Sequence, residues 1–375
     1  MRLGLGLMAV VMVSCLHGQS TLDSLLRTLA GQRGADRVRT LGEIEWELSF
    51  TDPAKAVRYG EEALKLGESL RDSALVAQAA NDLAIPEYRL GHFPRCIALN
   101  NRALSIRRSL ADTMGIAASH AKLGTAFTEL LELDSALLHN QAAERIYAQR
   151  GDLERLATMR GNQARLYQQM GDLAMAEKVA RSTVALILPT GNDYVIANTY
   201  GQLAQILIDR KDTEGSEEAA EKALPIFQRI DDRAGVASIS NVLGICARMR
   251  GDNTAAMEHY MRALSMAADV GDQEGEATYQ SNVANVLRDM GRLEEACTRY
   301  DSAIALCRAG GFTDQHLSAL LGYVDALERM GNWTKALTLQ KEYQARKDSV
   351  YDRERIDALS DMQVKYCLLY TSRCV

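Results

Sequence analysis

Small apolar, large apolar and polar positions return along this chain in a fixed order every 40 residues. A small residue stands at Ala56, Cys96, Ala136, Ala176, Ser216, Ala256, Ala296 and Ala336. Seven places on comes a second column, Ala63, Ala103, Ala143, Thr183, Ala223, Ala263 and Ala303, which Tyr343 breaks. A large residue before a small one recurs at Leu83-Ala84, Leu123-Gly124, Leu203-Ala204, Leu243-Gly244 and Val283-Ala284, with Gln163-Ala164 and Tyr323-Val324 as variants. Asp72, Asp112, Asp152, Asn192, Asp232 and Asp272 keep the spacing, as do Gly91, Gly171, Gly251, Gly291 and Gly331. Several residue types held in one register mark an internal repeat.

Each repeat predicts two helices. The Asp or Asn oxygen caps the first free amides of helix A. The glycine about 19 residues later suits the left-handed residue that closes helix A, and the small residues beyond it let helix B pack closely against A. Leu131 and Lys211 occupy the glycine column in two repeats. Those two turns are therefore expected to close by other means, with local variation in the chain.

The order of residues resembles the tetratricopeptide repeat, a 34-residue motif reading Trp, Leu-Gly, Tyr, Gly-Asp, Ala, aromatic, Ala. Here it stands as Asn282-Val283-Ala284, Leu287, Gly291-Arg292, Ala296, Tyr300 and Ala303, and again as Asn241 to Gly244, Gly251-Asp252, Ala256, Tyr260 and Ala263. The unit is longer than the family's, so each helix gains most of a turn. The resemblance implies an all-α, right-handed α-solenoid of about eight antiparallel helix hairpins over residues 33–350, with helix A lining a concave face. Such arrays bury their core between neighbouring repeats.

Composition narrows the partners. The 375 residues are 47% hydrophobic with only 5 prolines, which suits a helical array, and no strand-like run is evident. A net charge of -6 is spread through every repeat with basic and acidic residues interleaved. That argues against a nucleic-acid or anionic-membrane surface in this segment.

The chain ends differ from the array. Residues 1–19 have a signal-peptide layout: Arg2, the apolar run Leu3 to Val13, Ser14-Cys15, then a polar stretch through Gly18-Gln19. The run is short for a membrane span, so export is expected, to the bacterial periplasm or a membrane surface. Cys15, after a small residue, resembles a lipoprotein attachment site; the other reading is cleavage near Gly18 or Gln19. Residues 20–32 predict an N-terminal capping helix and 351–366 the start of a C-terminal helix or coiled coil. Residues 367–375 share no register with the rest. One DNA sequence encoding them resembles two inverted copies of a transposase mosaic end, so they are expected to be a sequencing-adapter tail, with the natural chain continuing past Tyr366.

Catalytic motifs are absent, so no enzyme, cofactor or metal site is expected in this segment. His92, His139 and His259 are expected in solvated or capping positions, and Cys96, Cys246, Cys297 and Cys307 form no disulfide framework. What remains is the groove that the family resemblance implies on helix A. Its columns carry Asn81, Asn241, Asn198, Arg165, Gln205, Asn285, Arg248 and Arg288 among short neutral side chains. Amides can pair with an extended backbone and arginine can fork onto a carboxylate, which implies a peptide or protein ligand.

Residues 347–366 resemble the end of exported repeat regions in bacterial membrane sensors, which lead into a coiled coil, a membrane helix and a histidine kinase or DNA-binding domain. The preferred reading is the extracytoplasmic sensing part of such a signalling protein. The alternative is a free-standing exported or lipid-anchored scaffold for envelope proteins. Contact with a membrane would come only through a lipid on Cys15 or a span after Tyr366.

Overall fold

The computed structural model describes residues 21–349, all helix and short turns. The expected signal peptide, Cys15, the segment 351–366 and the tail 367–375 lie outside the described residues. The chain divides into two compact units that meet between Thr190 and Gly191. In the first, α1 (21–31) precedes four hairpins: α2 (Gly34–Leu48) with α3 (Pro53–Leu70), α4 (Ser73–Arg89) with α5 (Phe93–Ser109), α6 (Thr113–Glu129) with α7 (Leu133–Arg150), and α8 (Leu153–Gln169) with α9 (Leu173–Ile187). In the second come α10 (Asp193–Asp209) with α11 (Thr213–Arg229), α12 (Arg233–Met249) with α13 (Asn253–Val270), α14 (Gln273–Asp289) with α15 (Leu293–Gly310), and α16 (Thr313–Arg329) with α17 (333–349). Each unit is an all-α solenoid of helix hairpins; even-numbered helices are A and odd-numbered ones from α3 on are B.

The expected caps form. Asp112 Oδ1 accepts from Gly115 N at 2.9 Å, and Asp272 Oδ1 accepts from Gly275 N at 2.9 Å. Helix B is often capped the same way, as by Asp172 on Met175 N at 3.0 Å and Asp252 on Ala255 N at 2.9 Å. The small columns are interior: Ala56, Ala136, Ala176, Ala256 and Ala296 are all fully buried. A methyl group at these places brings the two helix axes close, and the stack excludes water by repetition.

The turns obey a stricter rule than expected. A left-handed residue stands every 20 positions, at both the A-to-B and the B-to-A turns, from Arg71 through Gly331. Leu131 (φ 57°) and Lys211 (φ 63°) adopt it too, so the expectation of different turns there is corrected. Leu131 N donates to Thr128 O and Glu132 N to Phe127 O, both at 3.0 Å, the same double closure seen around Gly91 and Gly251. Packing of the flanking helices over-determines the turn, and a side chain is forced into a conformation that favours glycine. Leu131→Gly and Lys211→Gly are each expected to stabilise the protein by about 1 kcal/mol, read as a rise in denaturation midpoint. Leu131 is 66% exposed, so little apolar burial is lost in exchange.

One core column changes character along the chain. It reads Gly60, Asn100, Asn140, Ala180, Ala220, Tyr260 and Tyr300. In the second unit the tyrosine rings fill the hairpin interior, and Tyr300 stacks on Tyr323 at 5.5 Å between centroids. In the first unit small or amide side chains leave that space to other groups, with consequences below.

Candidate functional site

The A helices of the second unit carry a continuous ladder of charge. Arg248 from α12 binds Asp289 of α14 through Nε and Nη2, each 2.7 Å from Oδ2. Arg288 Nη2 meets Asp289 Oδ1 at 3.1 Å, and its Nε reaches Asp325 Oδ2 of α16 at 3.2 Å. Arg329 closes the series on Asp325 at 3.0 Å. Amides run alongside: Asn282 Nδ2 donates to Asn241 Oδ1 at 2.7 Å, and Asn285 Oδ1 accepts the Tyr300 hydroxyl at 2.7 Å. Ile245, Arg248, Met249, Tyr260, Asn282 and Asp289 line a cleft on this face. Arg248, Arg288, Asn241 and Asn285 are thus brought together, but each already holds a neighbour. Asn198 is exposed on α10, its amide donating to Tyr194 O at 2.8 Å, and Gln205 is half-buried on the same helix.

In the first unit Arg165 is exposed and lines a cleft with Tyr88, Thr125, Glu129 and Asn162. Tyr88 donates its hydroxyl to Glu129 at 2.6 Å; burial and then that bond push its pKa up to about 12. Asn81 departs from expectation. It is buried, its Nδ2 donates to Asn100 Oδ1 at 2.6 Å, and its Oδ1 accepts from Arg107 at 3.2 Å and Lys122 at 3.0 Å. An amide so engaged holds α4, α5 and α6 together and has nothing left to offer a groove.

The hub of that interior network is Arg107, which column reading did not single out. Its guanidinium also donates to Gly115 O at 2.9 Å, Ser119 Oγ at 3.1 Å and Gln78 Oε1 at 3.2 Å. A signal existed: the column Gly67, Arg107, Tyr147, Ile187, Phe227, Ala267 and Cys307 is otherwise small or hydrophobic until Lys347 in the last helix. An arginine there must find partners inside. Lys122 Nζ donates to Asn81 O at 2.8 Å, and burial lowers its pKa against the opposing pull of Asp82.

The repeat register of the second unit is matched independently over residues 195–269 and 275–349 by the family model of the tetratricopeptide repeat. Residues 195–269 and 275–349 are tetratricopeptide repeats. The repeat is typically a non-catalytic scaffold for protein interaction. Among solved structures, aspartyl phosphate phosphatase F from Bacillus subtilis is similar over 91% of this chain and 91% of its own, with a TM-score of 0.64 and 12% identity. The Rap conjugation gene regulator of plasmid pLS20, solved with a Phr peptide, is similar over 89% and 95%, at 0.57 and 16%. A signal-transduction ATPase with a tetratricopeptide repeat sensor from Pyrococcus horikoshii is similar over 80% of this chain and 45% of its own, at 0.57 and 16%. Such identities establish the common fold alone. No curated protein matches the chain.

Histidines 19 residues apart meet across the third helix hairpin of the first unit. His120 Nδ1 lies 2.8 Å from His139 Nδ1, and Phe127 stacks on His139 at 5.3 Å. His139 is therefore half-buried and paired, not solvated; His92 is exposed as expected, makes no side-chain cap, and has Nδ1 2.7 Å from Glu87 Oε2. Burial and then the charge of His139 push the His120 pKa down to about 4, and burial lowers that of His139. The unfolded chain takes up these protons near pH 6.5 while the folded one resists, so the pair's contribution is full above pH 6.5 and is lost as pH falls toward 4. Thermal melts of wild type and His120→Gln should show this as a difference that shrinks with acidification. Among the described residues no group of three or more His, Cys, Asp or Glu is placed to hold a metal, and no helix is long and apolar enough to cross a membrane.

Proposed function

We propose that the helix-A faces bind a peptide or protein, and that the chain is the extracytoplasmic sensing part of a bacterial signal-transduction protein. The observation carrying the binding reading is the Arg248–Asp289–Arg288–Asp325 ladder. Its groups are partly exposed, alternate in sign, and join three successive A helices. A carboxylate on a ligand can take Arg248 or Arg288 from its aspartate, and a basic group can take the aspartate. Either exchange alters what holds α12, α14 and α16 together, which is how occupancy favours one arrangement of the hairpins over another. The regulator solved with a Phr peptide shares this fold, which supports the class of ligand.

The test is titration of the full chain with an envelope-peptide library. Arg248→Ala and Arg288→Ala are each expected to weaken the binders about tenfold, equal to about 1.4 kcal/mol. Melting curves of the free variants report any loss of fold. Binding indifferent to both changes, or none at all, would sink the assignment.

The sensing part of the proposal is supported by the signal-peptide layout of residues 1–19 and by the resemblance of residues 347–366 to sensor proteins. An uninterrupted read of the gene past the codon for Tyr366, made without transposase, is expected to reveal a coiled coil, a membrane span and a kinase or helix-turn-helix domain. A stop codon soon after Tyr366 would leave an exported scaffold instead.

A further inference from the structure

A cavity in the first unit stands apart from the ladder. It has a volume of ≈ 460 Å³ and opens between α2 and α4, with Ala63 of α3 also in its wall. Val38, Leu75, Ala79 and Ile85 give it apolar sides. Trp46 also lines it and is 54% exposed. Four carboxylates line it, from Glu43, Glu45, Glu47 and Asp82, against one cation, Arg39, whose guanidinium is bonded to Asp36 at 2.7 Å.

Glu45 is the anomaly. It is 1% exposed, yet neither carboxylate oxygen has a hydrogen-bond partner. Asp82, by contrast, accepts from Gln78 Nε2 at 2.8 and 2.9 Å. The Glu45 carboxylate lies only 2.7 Å from where a Cβ on Gly60 would be. Residue 60 is the first position of the column that carries Tyr260 and Tyr300, so glycine here opens the space that a tyrosine ring closes in the second unit. A buried carboxylate with no partner costs several kcal/mol as an anion, and burial followed by the repulsion of Asp82 raises its pKa to about 9. Lys122 pulls the other way, but its ammonium is committed to Asn81.

We infer that this cavity is a binding site for an organic cation, an ammonium or guanidinium group on an aliphatic arm, with Glu45 as its counter-ion, Asp82 beside it and Trp46 at the wall. The apolar sides accommodate the arm. Trp46 in the wall is an aromatic ring of the kind that attracts such a charge. The cation supplies a partner for Glu45, and its arrival displaces the proton that burial otherwise keeps on this carboxyl. The inference does not depend on what the ladder of the second unit binds.

Agmatine and cadaverine are suitable probes, with n-pentanol as the neutral control and acetyl-Ala-Arg-Ala-amide to separate a free amine from a peptide side chain. Trp46 and Trp333 are the chain's two tryptophans. In full-length protein carrying Trp333→Phe, fluorescence therefore reports on the cavity alone. Agmatine is expected to change it saturably, to bind more tightly between pH 6 and pH 9, and to release about one proton per site by calorimetry in two buffers of different ionisation heat. Glu45→Gln is expected to weaken binding at least tenfold and to abolish the proton release. Gly42→Leu, whose Cβ would sit at an ordinary contact distance of 3.7 Å from Asp82 Oδ2, fills the space and should block binding while leaving the Glu45 side chain in place. Tighter binding of the tripeptide than of agmatine identifies a peptide side chain as the ligand; the reverse identifies a free amine. No saturable response at pH 8, an equal response to n-pentanol, or unchanged agmatine binding in Glu45→Gln or Gly42→Leu would overturn the inference.

Discussion

Replacing Arg107 with alanine is expected to destabilise the first unit by about 3–5 kcal/mol, the range for removing one partner from a buried charged network. Arg107 is 5% exposed, and its guanidinium serves Asn81, Gly115, Ser119 and Gln78 on α4 and α6. Without it, the buried Ser119 hydroxyl and the Gly115 carbonyl on α6 lose this donor, Asn81 Oδ1 on α4 keeps only Lys122, and each lost bond carries its own desolvation cost. Exposed ion pairs of the same unit, such as Arg102 with Glu68, are worth no more than about 1 kcal/mol, so burial decides the ranking. Arg107→Lys keeps the charge but lacks the planar fork, and is expected to restore less than half of the loss. Repeat arrays open locally, so hydrogen exchange of the α4–α6 amides is the appropriate readout. Protection in Arg107→Ala within about 1 kcal/mol of wild type would show that the network carries little.

The second large effect lies in the other unit. Tyr300→Ala is expected to cost about 3–5 kcal/mol, as for other large-to-small changes in a core. The ring is fully buried, stacks on Tyr323, and its hydroxyl donates to Asn285. Tyr300→Phe, which removes only the hydroxyl, should cost about 1 kcal/mol. Gly322→Ala tests the same contact from the other side. An added Cβ there would stand 2.5 Å from the Tyr300 hydroxyl oxygen, so it should cost about 1–3 kcal/mol alone. Combined with Tyr300→Ala that cost should vanish, because the atoms it collides with are gone. Strict additivity in denaturation of the four proteins would refute the packing assigned to this pair.

Much of the fold was legible before any coordinates. Asp112, Asp232 and Asp272 cap helices because a carboxylate three residues ahead of a free amide needs no distant help. Ala136, Ala176 and Ala256 are buried because the repeat that places them is carried by the chain itself. The turns at Leu131 and Lys211 were misread because local preference favours glycine, whereas the packed helices on either side enforce the left-handed conformation without it.

The site was legible by column and not by state. Arg248 and Arg288 could be assigned to the helix-A face, but Asp289 and Asp325 satisfy them from other helices or the adjacent residue. Asn81 belongs to the same face and yet is drawn inside, because Arg107 and Lys122 converge on it from α5 and α6. The sequence by itself determined the helix hairpin, its period, its caps and its small-residue seams, since each depends on neighbours within one or two turns or on a pattern repeated along the chain. Only the tertiary structure decided which polar groups cancel one another and which are left over. A side chain is partnered or orphaned by what lies across a helix interface, and Glu45, buried beside Gly60 with no donor in reach, is the outcome that no periodicity could show.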